Sequence, residues 1–279
     1  MSWELVVLAG LTAGVIFAPG LWRRWRERYR ARLRRQPFSS AWRTLLERHL
    51  DLYRRLPADL RERLHADMQV FLAEKRFIGA DGLEVDDTMR LVVAAQACLL
   101  TLNQATRYYP DFTSIILYPD SFVAVETVHD GVLESTTHHV RAGESWYRGP
   151  LVLSWADVAA DLAHPGHGHN VVLHEFAHKL DEQDGLVDGA PELDAGQRHS
   201  WPRVFGQEFE RLRHALDRGE HTFIDPYAAT APAEFFAVAV EAFFDASRPF
   251  AHHHPELHGE LCRLFGFDPV HWHARAVPA

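Results

Sequence analysis

Cysteine is nearly absent: Cys98 and Cys262 are all that 279 residues contain. Two cysteines so far apart exclude a disulfide framework and a CxxC-type metal site, and they fit a reducing compartment. With 17 Gly and 15 Pro the chain is neither collagen-like nor low in complexity, and it carries no internal repeat. Long apolar runs are also scarce beyond the first residues. Positive charge is outnumbered over most of the chain. Residues 1–36 hold eight Arg against Glu4 and Glu27, a net of +6, so that the formal −9 of the whole leaves −15 for the remainder. An acidic body of this kind excludes direct nucleic-acid binding through the phosphate backbone as the main activity. What is present is a globular composition, 47% hydrophobic and 24% charged, and an unusual 19 His.

From Leu5 to Trp22 no residue is charged, and 18 helical residues span roughly 27 Å, close to the hydrocarbon thickness of a bilayer. The Arg cluster follows this stretch rather than preceding it, and Trp3, Trp22 and Trp25 flank it. A secretory signal has the opposite charge order. The positive-inside rule therefore predicts an inner-membrane anchor over residues 5–22, with the body of the chain in the cytoplasm. The division that follows is an anchor helix and Arg-rich flank over 1–36 and a catalytic domain over 37–279.

Residues 37–78 read as helices, with Leu56, Leu60 and Leu64 at helical spacing, and Thr88 to Leu102 as a strongly apolar helix. Ser114–Tyr118 and Phe122–Glu126 have the β-branched and aromatic content of adjacent strands, and a further pair is predicted at Thr136–Val140 and Pro150–Trp155. Helices return at Asn170–Leu180, Trp201–Leu216 and Ala233–Phe244. The triplet His252-His253-His254 reads as an exposed loop, as does the stretch carrying His164, His167 and His169.

The sequence His174-Glu175-Phe176-Ala177-His178 lies within an apolar helical context. Residues four apart share a helix face, so both imidazoles can serve one Zn²⁺, while Glu175 stands beside it as a base that takes a proton from water and passes it to a leaving amine. Burying two His and a Glu in such a setting is costly unless something pairs with them. A catalytic zinc needs a third protein ligand. Asp184 is near, six residues after His178, but the turn glycine of the metzincin pattern is Asp181 here. The other candidate is the helix Ala233–Glu241, where Glu234 and Glu241 stand seven apart on one face.

The segments His174–Asp181, Asp225–Thr230 and Pro232–Val238, together with Gly82–Asp86, Leu117–Pro119 and Gly149–Trp155, resemble the Mlc titration factor A family of zinc-dependent peptidases. The resemblance runs from about Phe71 to about Pro269. It implies an α+β, helix-dominated, zincin-like domain whose small sheet backs the motif helix, and a gluzincin-like site. In that site His174, His178 and Glu234 are zinc ligands and Glu175 is the catalytic base. Asp181 matches the family pattern, and as a residue three past His178 it either orients a ligand imidazole or caps the helix end. Glu241 either supports the ligands from behind or is structural. The spacing from Tyr227 to Glu234 is also similar to that of the anthrax lethal factor catalytic domain, which implies that Tyr227 stabilises the oxyanion. The implied partners are a peptide substrate, in the manner of an aminopeptidase, or a DNA-binding transcriptional repressor of the Mlc type that the protein sequesters. An extended peptide is expected to add to the edge of the strand near Leu151–Ser154.

Overall fold

A computed structural model describes residues 20–104, 108–120 and 149–272. The helix α1, described over 20–34, leads into α2 (Ser40–His49), α3 (Asp51–Arg55) and α4 (Ala58–Glu74). Strand β1 (Arg76–Gly79), helix α5 (Asp87–Leu100), β2 (Ser114–Tyr118) and β3 (Leu151–Ser154) follow. The rest is helical: α6 (Trp155–Ala163), α7 (Val171–Asp181), α8 (Gln197–Asp217), α9 (Pro232–Asp245), α10 (Ser247–His253) and α11 (Pro255–Phe265). This is the expected helix-dominated α+β fold with a small sheet.

The described strands form one parallel sheet in the order β1-β2-β3, with Phe77 opposite Ile115 and Ile115 opposite Leu151. Parallel neighbours need a crossover, which α5 supplies between β1 and β2. β1 corrects the helical reading of residues 37–78. Helix α4 stops at Glu74 because the next residues alternate in exposure and pair with β2, a tertiary gain that local periodicity does not register. Trp155, read as the end of a strand, instead opens α6, whose first turn is capped by Ser154 Oγ accepting the Asp157 N–H at 3.2 Å. The strands expected at 122–126 and 136–140 lie outside the described residues.

Helix α5 is buried along nearly its whole length, between α2, α4 and α7. The back of α7 is fixed by Phe176, whose ring stands 5.9, 5.0 and 6.1 Å from those of Phe71, Tyr109 and Phe112. These aromatic contacts turn the opposite face of α7, with its histidines, toward α9. The histidine triplet is not a loop: His252 and His253 end α10, and His254 Nδ1 lies 2.8 Å from Glu208 on α8.

Residues 5–19 of the expected anchor also lie outside the described residues, and among those described no helix is long and apolar enough to cross a membrane. The Arg cluster behind it is bonded to the domain. Arg26 and Arg30 both pair with Glu74 at 2.9 and 2.6 Å, and Arg34 bonds Asp67 and Tyr108. Residues 20–36 are therefore tied to α4.

Candidate metal centre

Helix α9 is apolar almost all round, and its carboxylates Glu234, Glu241 and Asp245 are separated by seven and four residues. That spacing puts all three on one face. The face meets α7 and the loop before it. Asp245 Oδ2 accepts the N–H groups of Gly166 and Gly168 at 2.9 and 2.7 Å, which closes the His164–His169 loop onto α9. Glu241 Oε2 accepts the N–H of Asn170, and Asn170 caps α7 by accepting from Leu173 N at 3.0 Å. One carboxylate thus holds the start of the motif helix.

The other oxygen of Glu241 receives Nδ1–H of His174 at 2.7 Å. With Nδ1–H directed at Glu241, Nε2 points the other way, and a cation that displaces its proton finds the lone pair there. There it meets Glu234 Oε2 at 3.1 Å and His178 Nε2 at 3.1 Å, and His178 stands 3.3 Å from the same Glu234 oxygen. Nitrogen and oxygen donors on one tetrahedral ion are about 3.4 Å apart. His174, His178 and Glu234 therefore already stand close to a metal-ligand arrangement, and two imidazoles with one carboxylate are a donor set suited to zinc. Burial opposes a charge on His174, but Glu241 and then Glu234 outweigh it and raise its pKa to about 10. Burial pushes Glu234 up, yet the two histidines hold it well below the usual carboxylate range. Both shifts describe a pocket whose carboxylates demand a cation.

Glu175 is half-buried, next in chain to His174, and its charge also acts on that imidazole. Tyr227 lies in the short 3-10 turn Pro226–Ala229, its ring 6.3 Å from that of His174. Both His174 and Tyr227 line a cavity of about 620 Å³, whose wall also carries Asp157, Asp161 and Asp225. Asp184, the nearer alternative to Glu234, ends the 3-10 turn Glu182–Asp184, and its side chain is not among those described.

Asp181 has a different neighbour from the imidazole considered for it. Its Oδ2 accepts the Gly189 N–H at 2.9 Å, Oδ1 has no hydrogen-bond partner, and burial raises its pKa to about 6. Gly189 in turn has φ +79°, and a Cβ there would sit 2.4 Å from the carbonyl oxygen of Pro232, two residues before Glu234. Asp181 thus holds the loop that abuts the first turn of α9. Sequence reasoning missed Asp161, which accepts Val171 N–H at 2.7 Å and bonds His169 Nδ1 at 2.8 Å. That hydrogen bond outweighs burial and raises His169 to about 9. No spacing rule joins residues 161, 169 and 171, because a helix, a glycine turn and a helix start must first fold back on one another.

The profile of the glucose-regulated metallo-peptidase M90 family matches residues 22–266. The chain belongs to this family. Mlc titration factor A of Escherichia fergusonii is 32% identical over 219 residues, which cover 77% of this chain and 82% of that protein. The Cronobacter sakazakii protein of the same name is 33% identical over 72% of this chain and 76% of its own. An uncharacterized protein of Synechocystis sp. is 40% identical over 271 residues, 95% of this chain and 96% of its own. Membership makes this chain a member of a metallopeptidase family, and it agrees with the resemblance read from the motifs. Its matched segment begins at residue 22, within the described helix α1.

Proposed function

We propose that the chain is a zinc-dependent peptidase in which His174, His178 and Glu234 hold the ion and Glu175 is the general base. The observation that carries this reading is the convergence of those three donors, from helices α7 and α9, beside a cavity and next to Glu175. Zinc bound there would supply a Lewis acid for the scissile carbonyl and for water. Glu175 takes the proton of the attacking water and returns it to the departing amine. The Tyr227 hydroxyl, from the cavity wall, donates to the oxyanion that develops on the carbonyl. Glu241 keeps His174 in the tautomer that presents Nε2. The carboxylates of Asp157 and Asp225 in the wall favour a substrate whose free amino group sits among them, which is the aminopeptidase mode.

A second reading is favoured by the name of the relatives: a titration factor that sequesters a repressor of the Mlc type. The uncharged stretch 5–22 ahead of eight Arg supports a third element, an inner-membrane anchor with the peptidase domain on the cytoplasmic side.

The deciding experiment is Glu175→Gln in the full-length protein. Zinc content should persist while peptide hydrolysis falls by about 10²–10⁴-fold. Undiminished turnover removes Glu175 from the chemistry. If wild-type protein cleaves no peptide of a broad library but captures a DNA-binding repressor, with or without chelator, the sequestering reading replaces the enzymatic one.

A further inference from the structure

The arrangement of His174, His178 and Glu234 has a counterpart at the other end of α9. On α11, His258 and Cys262 stand four residues apart, and Asp268 approaches them from the turn after the helix. His258 Nε2 is 3.2 Å from Asp268 Oδ1, and Cys262 Sγ is 3.7 Å from the nitrogens of His258. Donors on one tetrahedral zinc stand about 3.4 Å apart for nitrogen and oxygen and about 3.6 Å apart for nitrogen and sulfur. The Nε2–Oδ1 separation is close to the first value; Sγ, equally far from both ring nitrogens, stands beside the ring rather than on the Nε2 lone-pair axis, so the Cys262 side chain rotates toward Asp268 for the three donors to share one ion. The imidazole is held in place by Phe243, whose ring is 5.4 Å away, and its side chain is 12% exposed. Asp268 Oδ1 also accepts Val270 N–H at 2.9 Å, so its carboxylate is fixed before any ion arrives.

We propose that His258, Cys262 and Asp268 form a second metal site, selective for a borderline-soft dication such as Zn²⁺ and separate from the catalytic centre. One thiolate and one carboxylate neutralise a dication, and imidazole completes a donor set that a hard ion such as Mg²⁺ does not choose. Water takes the fourth position. A thiol must lose its proton to become a ligand, so binding displaces that proton to solvent and is favoured as pH rises. The site joins α11 to the segment that crosses back after Gly266, a glycine at φ +73°. Phe267 and Trp272 of that segment lie 6.0 and 6.2 Å from Phe244 at the end of α9. Its role is therefore structural: it clasps the apolar cover over the C-terminal half of the core.

Cobalt distinguishes the two centres, because only the second contains sulfur and Cys98, within α5, is buried at 1% exposure. Metal-free full-length protein, kept reduced by a phosphine and confirmed by thiol titration, is titrated with Co²⁺. The expected result is two ions per chain and a near-ultraviolet thiolate-to-cobalt band. Cys262→Ser should lose the band and one ion and keep peptide hydrolysis in the zinc form. His174→Ala should lose the other ion and keep the band. Asp268→Asn, which preserves the bond to Val270 N, should weaken the band-forming affinity at least about tenfold. Reduced wild-type protein that shows no band, or a band that survives Cys262→Ser, overturns the proposal.

Discussion

Glu241 Oε1 stands 2.7 Å from Nδ1 of His174 while its other oxygen accepts the N–H of Asn170, the cap of the same helix. A single carboxylate on α9 therefore sets both where α7 begins and which nitrogen of its first histidine faces Glu234 and His178. Orientation of this imidazole and registration of two helices are the same contact.

Replacing Glu241 by Gln tests this coupling. The amide can still accept from Asn170 with its oxygen, but it then turns an NH₂ donor toward a ring N–H donor. Metal affinity, measured by competition with a chelator, should fall about 10–100-fold. Retained affinity would mean that the tautomer of His174 is set by something other than Glu241.

Gly189→Ala should destabilise the domain and disturb the site together. The new Cβ meets the Pro232 backbone at 2.4 Å and sits on a residue with φ +79°. Backbone cannot yield as a side-chain tip can, so a loss of about 1–3 kcal/mol is expected in urea unfolding. Zinc should bind more weakly as well, since Pro232 opens the turn that carries Glu234. An unchanged midpoint would show that the loop shifts freely.

Stability should decline in mild acid through His65. This ring stacks on Phe38 at 4.0 Å and bonds Tyr53 Oη at 2.8 Å, and burial lowers its pKa to about 4 against the partial counter-pull of Glu62. An unfolded histidine titrates near 6.5. Below that pH the unfolded state binds the proton first, so the stability contributed by His65 is complete above about 6.5 and is lost as pH falls toward 4. In His65→Gln the dependence of unfolding free energy on pH over this window should be shallower. Equal slopes would assign the acid sensitivity elsewhere.

The N-terminal region gives a prediction with two parts. Full-length protein should sediment with membranes, and a chain starting at residue 20 should be soluble and folded. Removal through residue 36 should instead lower stability, because it strips Arg26 and Arg30 from Glu74 and leaves the buried Asp67 without Arg34. Full-length protein found wholly in the supernatant defeats the anchor.

Much of the site was legible along the chain because it depends on helix geometry. His174 and His178 share a face by their spacing, and Glu234 and Glu241 share one by theirs. The apolar surroundings of each pair marked them as groups in need of a partner. The limits of α5, α7 and α9 were readable within a few residues for the same reason, as periodicity and caps are local. The chain also brought its sheet into view at Ser114–Tyr118, where apolar β-branched residues cluster.

Other features needed the folded chain. β1 is a strand only because β2 lies beside it, and Asp181 serves the Gly189 loop because that loop packs on Pro232. Asp161 reaches His169, Asp245 reaches the Gly166–Gly168 turn, and His258 reaches Asp268 across bends whose angles no spacing records. By itself the sequence determined which side chains ride together on one helix, since 3.6 residues per turn is a property of the backbone. The tertiary structure decided which carboxylate meets which imidazole, because that pairing is set by how apolar faces pack and becomes defined only once they exclude water.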